Sequence, residues 1–285
     1  MIIKDQSYYV AGGRTGVLLM HGLCATPAEM RFLANGLAHA GYTVYCPQLA
    51  GHGGTEADIQ QTTWQDWYAS AEEALVRLRT ECDVVIVAGL STGAMLALLL
   101  AARHADKVQG TALLAPTLWR NGWLVPWYAR LFRIICSKPI ANLIGFTELH
   151  PHGIKDERIR DFIRNALFSG DSSVAGLPST PGGAVLEHRL LVNAVRDEIG
   201  NIHQPALIIH PRENDHAGLD NAWYLQRNLK GLVDAVVLDD SYHVGTVDRQ
   251  RQREVERTAA FVASVAKAIV GQPSARVAAP AFKAA

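Results

Sequence analysis

The chain has 285 residues, with 27 lysines and arginines balanced by 27 aspartates and glutamates, and it is 49% hydrophobic. Zero net charge removes the counterion-release term that holds a polyanion, so nucleic acid is not an expected partner. Cys24, Cys46, Cys82 and Cys136 are widely spread with no CxxC pair. That is the pattern of free cytosolic thiols, with neither a structural disulfide nor a zinc site. Met1 to Val10 lacks the apolar stretch of a signal peptide, and the longest apolar run, Ala94 to Ala102, falls well short of the ~20 residues that span a bilayer. A cytoplasmic protein without stable membrane insertion is expected; composition leaves the oligomeric state open.

Short aliphatic runs recur at Val17–Met20, Thr43–Cys46, Val84–Ala88, Thr111–Leu114, Ala206–Ile209 and Ala235–Leu238. Helix-length segments at Pro27–Ala40, Trp64–Thr80, Thr92–His104, Asn221–Lys230 and Arg249–Val270 fall mostly between or after them. Thr26 is a candidate cap for the first helix and Pro27 suits its first turn. This alternation predicts an α/β fold: a mostly parallel central sheet flanked by helices on both faces. The rhythm breaks between Pro116 and Gln204. Residues 1–116 and 204–270 are therefore expected to form the core, 117–203 a helical cap or lid, and 271–285, rich in Ala and Pro, a mobile tail.

The most informative segment is Val84 to Gly93, where a strand runs straight into Gly89-Leu90-Ser91-Thr92-Gly93 and then into a small-residue helix. This is the G-x-S-x-G nucleophile elbow in its strand–turn–helix context, with Ser91 as the candidate nucleophile. Strand Val17–Met20 ends similarly in His21-Gly22-Leu23, at the same sheet end. The backbone amides of Leu23 and Thr92 are the candidate oxyanion hole, and His21 is expected to support that loop by hydrogen bonds.

A serine hydroxyl needs an imidazole to take its proton, and the imidazole needs a carboxylate to fix its tautomer and stabilise its charged form. His243 is the candidate base, because it lies just after the strand Ala235–Leu238 and before the last helix. His210, at another strand end, comes too early in the chain. Asp215 follows strand Ala206–Ile209 and precedes His243, in the order Ser, Asp, His; Glu213 and Asp220 are the alternatives.

With these residues in place, the chain resembles the bacterial carboxylesterase and monoacylglycerol lipase group of α/β-hydrolases, from Gly16 to about Ala268. The resemblance rests on Leu18-Leu19-Met20-His21-Gly22-Leu23, Gly41-Tyr42-Thr43-Val44, Gly51-His52-Gly53, the elbow, Gly153-Ile154-Lys155-Asp156, and Ser241-Tyr242-His243 followed by Asp248. It implies a triad of Ser91, Asp215 and His243, an oxyanion hole from Leu23 and Thr92, a lid over an acyl pocket, a small-molecule ester substrate and no cofactor. The acid loop departs from the pattern, reading Arg212-Glu213-Asn214-Asp215 where that group more often has a glycine before the aspartate.

Trp119, Trp123 and Trp127 fall at i, i+4 and i+8, so on a helix they form one aromatic stripe. That stripe either packs the cap onto the body or lines an acyl-chain pocket, and the three are candidate substrate contacts together with Cys24.

Overall fold

The computed structural model describes residues 3–147, 153–167 and 176–270. The expected tail 271–285, and His150 and His152 of the insertion, lie outside the described residues.

Seven strands form the main sheet: β1 (Tyr8–Val10), β2 (Thr15–Met20), β3 (Thr43–Cys46), β4 (Val84–Leu90), β5 (Gly110–Leu114), β8 (Ala206–Pro211) and β9 (Val233–Leu238). Their spatial order is β1-β3-β2-β4-β5-β8-β9; all neighbours are parallel except β1, which pairs antiparallel with β3. Six of these are the strands expected from the aliphatic runs, extended by zero to two residues at their ends. β1 was missed because three residues with intermediate burial carry too little hydrophobic pattern.

Helices cover both faces, as parallel strands buried on both sides require. On one face lie α3 (Trp64–Glu81), α4 (Thr92–Arg103) and α7 (Gly182–Glu198), whose apolar side chains join one core cluster. On the other lie α1 (Arg31–His39) and α9 (Arg251–Val270), around a second cluster. A short α2 (Glu56–Gln61) and α8 (Asp220–Asn228) complete the flanks. Pro27–Met30 is a 3-10 turn ahead of α1, and the Thr26 side chain accepts from the Ala28 amide at 3.4 Å.

The segment after β5 contains a 3-10 helix (Trp127–Ile134), α5 (Lys138–Ala141), α6 (Glu157–Leu167) and an antiparallel pair of short strands, β6 (Gly145–Thr147) and β7 (Ser179–Pro181). Not all of 117–203 departs from the body, however. Leu191, Val192 and Val195 of α7 are buried in the core cluster, so this helix is a layer of the body rather than cap. Among the described residues no helix is long and apolar enough to cross a membrane.

Topology alone places the site. From β2 the chain goes outward to β3 on one side, while β4 lies on the other, so the sheet order reverses between β2 and β4. The crevice beyond the carboxyl ends of such a pair is where ligands bind in open α/β sheets. Ser91 follows β4 and His21-Gly22-Leu23 follows β2.

Candidate active site

The fully buried β4 delivers the chain into Ser91, which has φ 55° and ψ −109°. A side chain rarely tolerates this backbone conformation, and the surroundings enforce it. A Cβ on Gly89 would lie 2.2 Å from the Gly93 carbonyl carbon, and one on Gly93 would lie 2.2 Å from the Met20 carbonyl oxygen. Helix α4 can therefore start hard against β4 and β2 only because both positions are glycine. The Ser91 amide donates to Leu114 O at 2.9 Å, tying the turn to β5. The Ser91 hydroxyl donates to Thr117 Oγ1 at 3.2 Å, and Thr117 in turn donates to Ala115 O at 3.1 Å.

Next to the elbow, His21 is wholly buried and bridges two parts of the chain. The Leu49 amide donates to its Nε2 at 3.2 Å, which leaves Nδ1 to donate to Gly22 O at 2.9 Å. Burial, and then the nearby His52, push its pKa down to about 3, so it is a neutral strut. That matches the support role expected for it. The Gly22 amide donates to the Glu29 carboxylate, and Cys24 takes φ 60°. Leu23 borders the same cavity as Ser91, and Thr92 sits in the first turn of α4, where the helical ladder supplies no acceptor for its amide.

The third part of the site is the pair of loops after β8 and β9. His243 is 7% exposed and lines the cavity with Ser91. Asp215 is completely buried; its Oδ1 accepts from the His243 backbone amide at 3.1 Å and its Oδ2 from the Gly153 amide at 3.0 Å. The group facing His243 Nδ1 is Asn214 Oδ1, at 3.1 Å. This corrects the expectation that Asp215 orients the ring: its carboxylate holds the backbone of the loop, and the side chain before it meets the imidazole. A carboxylate is the expected orienting group, so Asn214 does not stand out by residue type. The signal for it was the departure of the loop itself, an asparagine directly before the aspartate. Of the alternatives, Glu213 pairs with Lys155, and Asp220 accepts from Trp119 Nε1 and Asn121 Nδ2, so neither points to His243.

Gly153-Ile154-Lys155-Asp156 and Asp248 turn out to be one staple. The buried Asp248 carboxylate accepts from the amides of Lys155, Asp156, Tyr242 and Arg249 at 2.8 to 2.9 Å. Val244 N donates to Gly153 O at 2.8 Å. Two segments far apart in sequence, 153–156 and 242–249, are thereby held together at the histidine loop.

Electrostatics around His243 favour its neutral form. Burial drives its pKa well below the usual value, His216, His210 and Arg120 add to this, and the Asp215 charge opposes it. The His216 ring lies edge-on, with centroids 4.8 Å apart. Burial raises the pKa of Asp215, opposed by His243 and by the amides it accepts from.

Below the loop, Glu254 of α9 is 1% exposed, and burial, with a contribution from Asp248, lifts its pKa to about 8 against an ordinary 4.5. The folded chain thus binds a proton there that the unfolded chain has released, and stability falls as pH rises from about 4.5 to about 8. Glu254→Gln is expected to remove this slope, worth on the order of 4 kcal/mol. Thermal melts of both proteins across that pH range check it: parallel curves would refute the assignment.

A cavity of about 440 Å³ opens over Ser91 and His243. Ile159, Phe162, Ile163 and Leu167, one face of α6, form much of its apolar wall, and Cys24 and Leu177 border it. The three tryptophans do not, and they do not share a helix. The chain from Leu118 to Leu124 spends its backbone bonds outside itself: Leu118 and Trp119 amides donate to Asn221 Oδ1, Gly122 N to His216 O, and Leu124 N to Asp215 O. A Cβ on Gly122 would sit 2.3 Å from the Asp215 carbonyl, and Pro126 then interrupts any helix. Trp119 packs edge-on against Tyr224, Trp123 donates to Glu213 O and meets Tyr242, and Trp127 is largely exposed. The segment buttresses the acid loop; the apolar wall comes from the period-3.6 pattern of α6, which the sequence carries at Ile159, Phe162, Ile163 and Leu167.

Comparison with known proteins identifies the family and the fold. The profile of the family described as Serine aminopeptidase, S33, matches residues 13–247. A thermostable monoacylglycerol lipase from Bacillus sp. (strain H-257) is 32% identical over 259 residues, covering 90% of this chain and 94% of the relative. A carboxylesterase from Bacillus subtilis (strain 168) is 22% identical over 261 residues, covering 88% and 93%. Among solved structures, one from work on the metagenome-derived lipolytic enzymes LipS and LipT has a TM-score of 0.75 at 30% identity, covering 90% of this chain and 97% of that one. A soluble variant of the monoglyceride lipase from Saccharomyces cerevisiae shares the fold, with a TM-score of 0.75 at 16% identity, over 92% and 91%. The chain therefore belongs to the Serine aminopeptidase, S33, family and is an α/β-hydrolase, a serine hydrolase of the lipase and esterase type.

Proposed function

We propose that the chain hydrolyses carboxylic esters with a short to medium apolar acyl group through an acyl-enzyme. The observation that carries this reading is the placement of Ser91 at a strained elbow, with His243 on the same cavity and an apolar wall beside both. Ser91 Oγ attacks the ester carbonyl while His243 Nε2 takes its proton. The tetrahedral oxygen is held by the amides of Leu23 and Thr92, and losing one such donor typically costs on the order of 10²-fold or more. Collapse expels the alcohol, which leaves with the proton from His243. Water, deprotonated by the same nitrogen, then attacks the acyl-enzyme, and the acid departs with Ser91 restored. Helix α6, within the segment between β5 and α7, acts as the part of the cap that supplies the acyl wall.

A monoacylglycerol substrate is the second reading, favoured by the 32% identity to a monoacylglycerol lipase across 90% of the chain. Both are distinguished by rates on p-nitrophenyl esters of graded acyl length beside monoacylglycerols of the same acyl chains. A simple esterase shows a short-acyl optimum and little gain from the glycerol; a monoacylglycerol lipase prefers the glycerol ester at every length. Rates on matched thioesters or amides that exceed the ester rates would overturn the ester reading, and failure of the folded protein to take up an active-site phosphonate would overturn catalysis itself.

A further inference from the structure

We propose that the side chain orienting His243 is the neutral amide of Asn214, a positioning residue, so that the active site is a serine–histidine–asparagine arrangement in which Asp215 acts through the backbone. This rests on the reading of Ser91 and His243 as nucleophile and base.

The argument begins with which end of the Asn214 amide faces the ring. Its Oδ1 accepts from the amides of His216 at 3.0 Å and Ala217 at 2.9 Å, and a backbone N–H only donates. The atom 3.1 Å from His243 Nδ1 is therefore an acceptor, and Nδ1 carries the hydrogen. That tautomer leaves the lone pair on Nε2, which is the form a serine needs as its base.

Asp215 cannot take the same part from where it stands. One of its oxygens accepts from the His243 amide and the other from the Gly153 amide, so the carboxylate bolts the histidine loop to the turn ahead of α6. Its charge reaches the ring only through space. The two neighbouring residues thus divide what one aspartate does elsewhere: Asn214 selects the tautomer, and Asp215 fixes the loop and supplies the negative field.

The division has a consequence for pH. An amide stabilises the imidazolium less than a carboxylate in the same place. The groups facing the ring from the packed elements are His216 and Asp215 of the loop after β8, His210 at the end of β8, and Arg120 of the segment after β5; only Asp215 favours the charged form. His243 accordingly stays neutral, and competent as a base, into mildly acidic solution.

The test uses the full chain, with kcat and KM measured against pH on a p-nitrophenyl ester for the wild type, Asn214→Asp, Asn214→Ala, Asp215→Asn and Ser91→Ala. Asn214→Asp is isosteric, keeps the acceptor for His216 and Ala217, and is expected to move the acidic limb of kcat/KM upward by about one pH unit or more. Asn214→Ala is expected to lower kcat on the order of 10²-fold with little change in KM. Asp215→Asn is expected to move the acidic limb downward and to lower the melting temperature. An unmoved limb in Asn214→Asp overturns the proposal. So does wild-type kcat in Asn214→Ala beside a folded Asp215→Asn that loses about 10⁴-fold in kcat, the loss expected when the ring-orienting carboxylate is removed. Retained activity in Ser91→Ala would instead overturn the underlying assignment of the nucleophile, so the two failures are distinct.

Discussion

Ser91→Ala is expected to lower ester hydrolysis by about 10⁶-fold while leaving the chain folded. The attacking atom is gone, and no other hydroxyl replaces it: Thr117 Oγ1, the nearest described partner of Ser91, is engaged with Ala115 O. Stability should change by only about 1 kcal/mol, from the lost hydrogen bond to Thr117. Alanine keeps the Cβ, so the backbone at φ 55° remains strained. Ser91→Gly is equally inactive but releases that strain, worth roughly 1–3 kcal/mol, against the greater entropy a glycine loses on folding. The glycine variant should therefore melt above the alanine variant. Circular dichroism melts and initial rates check both halves; a serine variant with more than a trace of activity, or a glycine variant that melts below alanine, would contradict the account.

Gly93→Ala carries the second large effect, and it reaches both stability and rate. Its new Cβ would meet the carbonyl oxygen of Met20 at 2.2 Å, the carbonyl carbon at 2.6 Å and His21 O at 2.7 Å. All three are backbone atoms at the end of strand β2, and no rotamer change can make room. Either α4 or the His21-Gly22-Leu23 turn must shift, and such overpacking costs about 3 kcal/mol. Moving that turn also moves the Leu23 amide, which is proposed above to hold the oxyanion together with that of Thr92. A loss of kcat on the order of 10²-fold, beyond any loss of folded protein, is expected. Urea unfolding and active-site titration separate the two, and wild-type kcat per titrated site would show that the turn does not move with the glycine.

The spacing of chemistry-bearing residues and the alternation of strands with helices were legible in the sequence because each is a local pattern. A buried parallel strand reads as an aliphatic run, an elbow as two glycines around a serine, and a base as a histidine shortly after a strand. Ser91, His243, Leu23 and Thr92 emerged at one sheet end for that reason, and the structure brings them around one cavity. The tryptophan stripe read equally well as a local pattern and was wrong as a helix, because hydrogen bonds to the acid loop and Pro126 outweighed helical spacing. The joining of Gly153 and Asp248 to the histidine loop, the α6 wall of the cavity, and the exchange of Asp215 for Asn214 at the imidazole were decided only by tertiary structure. Each depends on where a side chain points once segments more than 25 residues apart have met. A sequence names Asn214 and Asp215 as neighbours; which of the two turns toward His243 is a choice made by the amides of His216, Ala217 and Gly153.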